Sequence, residues 1–175
     1  MARQWNALDE IEVDVRGFFT THHDFGTGLG SWGKLTFPAF ANHGTFRAAD
    51  GRELLMRKVH WLGSAHEFID GGRVRGSADR AGFLSREIEI LFDGQHYVLE
   101  PEGILSRGWR LTDAQGRHLL EIQPRGILRQ GAYLTALGQH PEMVEALSPD
   151  LLAFAYYLVY TRWQEDAAAG AAAAS

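Results

Sequence analysis

The stretch Leu151 to Trp163 reads LLAFAYYLVYTRW, and its reading decides the fold. Ser148-Pro149-Asp150 ahead of it supplies an N-cap, a first-turn proline and an acidic first-turn residue, so a helix is expected to begin there. From Leu151 to Tyr160 no residue is charged, and apolar or aromatic side chains point in every direction around the helix. A helix apolar all round must be buried all round, in protein or in lipid. Spanning a bilayer takes about 20 apolar residues, and Arg162, Gln164, Glu165 and Asp166 end this run sooner. Burial in protein is therefore expected, with Leu151, Leu152, Phe154, Tyr157 and Leu158 in the core of a helix over about 149–166. The alanine-rich tail 167–175, interrupted by Gly170, is expected to fray.

The rest of the chain says what surrounds this helix. Asp50-Gly51, Asp70-Gly71-Gly72, Asp93-Gly94 and Asp113-Ala114-Gln115-Gly116 recur at intervals of 20 to 23 residues. Each interval fits two strands and a turn, the rhythm of successive hairpins. Between the turns, side chains alternate. Ile11, Val13 and Val15 oppose Glu12, Asp14 and Arg16. Ile88, Ile90 and Phe92 oppose Glu87 and Glu89. Tyr97 and Leu99, Trp109 and Leu111, and Leu120 and Ile122 follow the same rule. Half-buried antiparallel strands give this pattern. Two stretches are less regular: Glu53 to Trp61 mixes charge and bulk on both faces, and the Gly- and aromatic-rich Phe18 to Pro38 reads as a long loop before or between short strands. Gln139 to Leu147 has the pattern of a short amphipathic helix.

A two-layer sandwich covers one stripe of a helix, whereas a closed barrel covers every side. The expected fold is mainly β: a closed antiparallel barrel of about 12 strands enclosing its own C-terminal helix. At 175 residues the chain is expected to form a single barrel domain over 1–166.

This layout resembles the tubby C-terminal-like superfamily, which includes the LURP-one-related proteins and the phospholipid scramblases. The resemblance rests on Phe46-Arg47 ahead of Asp50-Gly51, on Phe68-Ile69-Asp70-Gly71, on Ile88 to Asp93-Gly94 with Tyr97 after it, and on the terminal helix. It implies a 12-stranded barrel around a hydrophobic helix. It also implies an association with lipid, since tubby proteins bind phosphoinositides through basic surface side chains. No tubby lipid-binding residue maps onto a matching position here. The cysteine-rich and calcium-binding segments of scramblases are not evident either, as the chain has no cysteine.

Composition bounds the function. A formal net charge of −5 argues against a nucleic-acid binder. With no cysteine there is no thiolate nucleophile and no zinc–thiolate site. The first residues, MARQWNALDE, lack a signal-peptide pattern, so a cytoplasmic protein, peripheral to membranes where lipid is bound, is the expectation.

Candidate chemistry is thin. His22-His23-Asp24 is the best metal-like cluster, but neighbours on a strand point to opposite faces, so an ordinary polar loop is expected and no cofactor. Gly26 to Gly33 lacks the spacing and the strand–helix context of a phosphate loop. Glu87 and Glu89 read as an outward, solvated face. No Gly-x-Ser-x-Gly elbow occurs, and no enzyme is expected. The tyrosines Tyr156, Tyr157 and Tyr160 carry hydroxyls into an apolar helix, and each buried hydroxyl needs a partner. The remaining candidate is basic: Arg73 and Arg75 on one strand face, with Arg57 and Lys58 from a nearby hairpin, as a site for an anionic headgroup. The other reading is a barrel for a small apolar ligand with the helix as an external lid.

Overall fold

The computed structural model describes residues 10–28, 30–82, 84–103, 106–126, 130–137 and 147–173. Twelve strands run in chain order: β1 (Glu10–Arg16), β2 (Thr21–Thr27), β3 (Gly30–Phe37), β4 (His43–Ala48), β5 (Glu53–Lys58), β6 (His66–Asp70), β7 (Arg73–Arg80), β8 (Ile88–Phe92), β9 (Gln95–Pro101), β10 (Trp109–Asp113), β11 (His118–Pro124) and β12 (Gly131–Ala136). Each pairs antiparallel with its sequence neighbours, and β1 pairs with β12, so the sheet closes on itself. Among the described residues one helix, α1 (Pro149–Ala173), follows.

The turns form for local reasons. Asp93 and Gly94 both have positive φ, 46° and 79°, as a two-residue I′ hairpin turn requires. Glu53 to Lys58, ambiguous as a sequence, resolves into β5 with Leu54 and Met56 buried. Phe18 to Pro38 is not a long loop: it holds β2 and β3, a hairpin packed edge to edge. The segment 138–146, which carries the expected amphipathic helix, lies outside the described residues.

Three β-bulges disturb the inside–outside alternation. Phe25 faces Gly33 while Gly26 faces Ser31, which leaves Trp32 as the extra residue. Phe68 faces Gly76 while Ile69 faces Val74, leaving Arg75. Leu111 faces Leu120 while Thr112 faces His118, leaving Leu119. A bulge re-aims the side chain it frees. Trp32 turns onto Phe25 and Phe46, and Leu119 is fully buried beside Leu120.

The helix is inside. Asp150 through Val159 are all buried, as is Trp163, so α1 occupies the barrel axis and is not an external lid. Ser148 caps it, its Oγ accepting from the Leu151 N–H at 3.2 Å. Aromatic rings fill the space between wall and helix. Phe68 and Phe92 pack on Phe154, Phe25 and Phe46 meet near Tyr156, and Phe37 stacks on Tyr157. The wall makes room by omitting side chains: a Cβ on Gly33 would lie 2.4 Å from the Phe46 ring. Helix α1 does not stop near residue 166. It continues to Ala173, because alanine has the highest helix propensity and one glycine costs only about 1 kcal/mol.

The meander gives the barrel two unlike ends. Tight turns after β2, β4, β6, β8 and β10 lie at the end where α1 enters, here called the turn end. Connections after β1, β3, β5, β7, β9 and β11 lie at the end where it leaves, the loop end.

Candidate functional site

At the turn end an acidic residue enters the barrel with the helix. Asp150, in the first turn of α1, is 3% exposed. Arg52 grips both its carboxylate oxygens, Nη1 to Oδ2 at 3.0 Å and Nη2 to Oδ1 at 3.2 Å. Arg75 donates Nη1 to Asp150 at 2.8 Å and to Asp70 at 3.0 Å, and it clamps Asp93 through Nε and Nη2. The Arg75 hydrogen bonds hold the Asp93 carboxyl below its ordinary range. The Arg75 guanidinium also lies over the Phe68 and Phe92 rings, at 5.9 and 5.6 Å. The cluster joins β4–β5, β6–β7, β8–β9 and α1 at the mouth.

This accounts for one of the four basic candidates: Arg75 is half-buried and held by three aspartates rather than open to solvent. Arg73 stays exposed, over a shallow depression of about 470 Å³ lined by Val74, Leu91, Asp93 and Gly94 among others. Arg57 and Lys58 do not join them. They lie at the loop end of β5, where Arg57 pairs with Glu67 across the strands and Lys58 pairs with Glu165 of α1 at 2.9 Å. The partners that sequence reasoning missed are Arg52 and Asp150. Their signal was slight: an arginine following an Asp-Gly turn, and an acid in the helix cap.

Toward the loop end, two histidines meet two tyrosines inside the barrel. The Tyr156 hydroxyl is 2.7 Å from His23 Nδ1, and the Tyr157 hydroxyl is 3.3 Å from His66 Nδ1. Burial, with the neighbouring His22, pushes His23 down to about 3. Burial, with Lys58, pushes His66 down to about 4. Both rings are therefore neutral at neutral pH. Burial raises the tyrosine hydroxyls correspondingly. His23 and Tyr156 are fully buried, so this pair satisfies polar atoms in the core and does not face a substrate.

The His22-His23-Asp24 run is thus part of strand β2, not a loop. His23 points in, while His22 meets Thr36 at 3.2 Å and Asp24 lies between Arg16 and Lys34 outside. Among the described residues no three potential metal ligands come together. Glu89 is exposed on β8.

Where α1 leaves, Glu165 receives Lys58, Arg162 and, at 3.7 Å, Arg80, and the Trp163 indole N–H donates to the Arg107 carbonyl at 2.9 Å. No described helix is long and apolar enough to cross a membrane. No family model, curated protein or solved structure matches the chain.

Proposed function

We propose that this chain is a non-enzymatic interaction module that associates with anionic lipid surfaces through the loop end of its barrel. The observation that carries the reading is the unlike chemistry of the two ends. Asp50, Asp70, Asp93, Asp113 and Asp150 all belong to the turn end, knitted to Arg52, Arg75 and Arg117. The loop-end connections, 17–20, 38–42, 59–65, 81–87, 102–108 and 125–130, contain no aspartate. Against Glu87 and Glu102 they carry, among the described residues, Arg86, Arg107 and Arg125, the last of these with its side chain covered and paired with Glu12 and Asp14. Arg86 and Arg107 are exposed. Each Lys or Arg close to an anionic membrane contributes about 1 kcal/mol of attraction, and with a net charge of −5 only an oriented approach collects it.

Two further points support a binding module over an enzyme or an apolar-ligand carrier. The helix fills the axis where a carrier keeps its ligand, and the two histidines inside the barrel are paired with tyrosines of the helix. The resemblance to tubby-like barrels is in keeping with lipid as the partner. Arg73, on the opposite end, is a poor candidate for the same surface.

Flotation with phosphatidylcholine vesicles, with and without phosphatidylserine, tests the reading. Binding is expected only with the anionic lipid at low salt. It should fall by roughly tenfold or more in the double variant Arg86→Glu/Arg107→Glu and hold in Arg73→Glu. No binding to the anionic vesicles, or binding lost equally in the Arg73 variant, overturns it.

A further inference from the structure

Six large apolar side chains stand exposed on four loop-end connections: Phe18 and Phe19 at 90% and 71%, Phe40 at 100%, Trp61 and Leu62 at 78% and 79%, and Leu84 at 91%. Single exposed hydrophobics are ordinary on protein surfaces. Their collection at one end of one barrel is not. The other large apolar residues most exposed among those described, Val74 and Leu91, lie on the outer wall and are about half covered.

The tips are held, not loose. Gly17 has φ +99°, and a Cβ there would lie 2.1 Å from the Thr20 carbonyl oxygen, so only glycine makes the turn that presents Phe18 and Phe19. Their rings meet edge to face at 5.2 Å. The Ala41 N–H closes a turn onto Pro38 at 3.3 Å around Phe40. Phe40 itself has φ 59°, a left-handed conformation that a bulky residue adopts at a cost and that marks functional segments more often than neutral ones. Trp61 and Leu62 ride a closed loop in which Val59 N–H donates to Ala65 at 2.8 Å and Gly63 N–H to His60 at 3.0 Å. Ser85 N–H donates to Gly82 at 3.1 Å beneath Leu84.

Three features say what covers these tips. They are separate projections on the connections after β1, β3, β5 and β7, which follow one another around the loop end, so they form a crown of tips on neighbouring loops. A fluid phase can fill the spaces between them. Exposed Arg16, His60 and Arg86 accompany them in the same connections or at their edges, and exposed Arg107 stands on a further loop-end connection, as in surfaces that meet a bilayer where headgroups and acyl chains adjoin. The exposed last turns of α1, Ala167 to Ala173, emerge at this end without a charge.

We propose that Phe18, Phe19, Phe40, Trp61, Leu62 and Leu84 insert into the acyl–headgroup boundary of a lipid bilayer, so that the barrel stands with its axis across the membrane plane and α1 pointing toward the lipid. The inference rests on the membrane reading above and adds the mode of binding: attraction by arginines brings the end to the surface, and insertion keeps it there. Insertion is driven by removal of apolar area from water, which salt does not screen.

The test compares the whole chain with the variant Phe18→Ser/Phe40→Asn/Trp61→Ser/Leu84→Ser, after thermal melting has shown that both are equally stable. The substituted side chains are exposed, so an unchanged melting temperature is expected. On phosphatidylcholine–phosphatidylserine vesicles the wild type should keep part of its binding at high salt. The variant should retain only salt-sensitive binding, with a high-salt partition coefficient lower by about a hundredfold. Brominated acyl chains should quench a component of the tryptophan fluorescence that disappears in Trp61→Phe, since among the other described tryptophans Trp109 and Trp163 are buried and Trp32 packs on Phe25 and Phe46 in β3. Wild-type binding wholly reversed by salt, or a variant that binds like the wild type, overturns insertion while leaving the electrostatic reading intact. Absence of binding to any vesicle overturns both. Tip-dependent self-association without vesicle binding would mark the crown as a protein contact and likewise overturn it.

Discussion

Tyr156 and Tyr157 bring hydroxyls into the middle of an apolar barrel, and His23 and His66 receive them there. The need for partners was legible, because a buried hydroxyl is costly when unpaired. Their identity was not. His23 sits in THHDFGT, a segment poor in β-formers, and its inward direction follows only once the strand is known. Arg75 shows the opposite failure. Alternation places it beside Arg73, and the bulge against β6 turns it into the mouth instead. The histidines carry a pH signature. Unfolded, each takes up a proton near pH 6.5; folded, His23 does so at about 3 and His66 at about 4. Between these values the unfolded state holds more protons, so stability is full above the unfolded pKa and is lost as pH falls toward the folded ones. The slope approaches about 1.4 kcal/mol per pH unit for each ring, so a loss of roughly 2 kcal/mol is expected for both between about pH 6 and 5. Asp93, depressed by Arg75, adds its loss only below its unfolded value near 4, a separate window. Chemical denaturation across this range checks it, and a flat profile from neutral pH to about 5 would contradict the buried, neutral assignment.

Helix α1 was the most legible element, since Ser148-Pro149-Asp150 marks its start and the uncharged run demands enclosure. Its far end was not. Low complexity suggested fraying, yet alanine needs no tertiary contact to favour helix. Strands β2 and β3 were hidden by glycines that serve packing, such as Gly33 under the Phe46 ring, rather than chain flexibility. The two halves of α1 therefore differ in what they contribute. Phe154→Ala, which empties the space between Phe68 and Phe92, is expected to cost about 3–5 kcal/mol in a denaturant melt. Ala169→Gly, on the exposed turn, should cost no more than about 1 kcal/mol. Equal effects would mean that the buried and projecting turns are not distinguished as described.

On the scale of the molecule, the spacing of Asp-Gly turns made the meander readable, and closure followed from the helix it had to cover. The asymmetry of the ends was not readable in advance. A Phe or Trp in a sequence says nothing about exposure: Phe18, Phe19 and Trp61 were lost among the irregular stretches Phe18 to Pro38 and Glu53 to Trp61, and nothing marked Phe40, Leu62 or Leu84. Topology gathers them, because every second connection of an up-and-down barrel falls at the same end. A barrel whose interior is filled by its own chain has only its outside to act with, and the loop end is where that outside is apolar and carries the exposed Arg86 and Arg107. Amide hydrogen exchange along the whole chain, with and without phosphatidylserine-containing vesicles, tests this most directly. Lipid is expected to slow exchange in the connections 17–20, 38–42 and 59–65 and around Leu84, and to leave the turns at 49–52, 71–72 and 93–94 unchanged. Slowing at those turns, or nowhere, would contradict it.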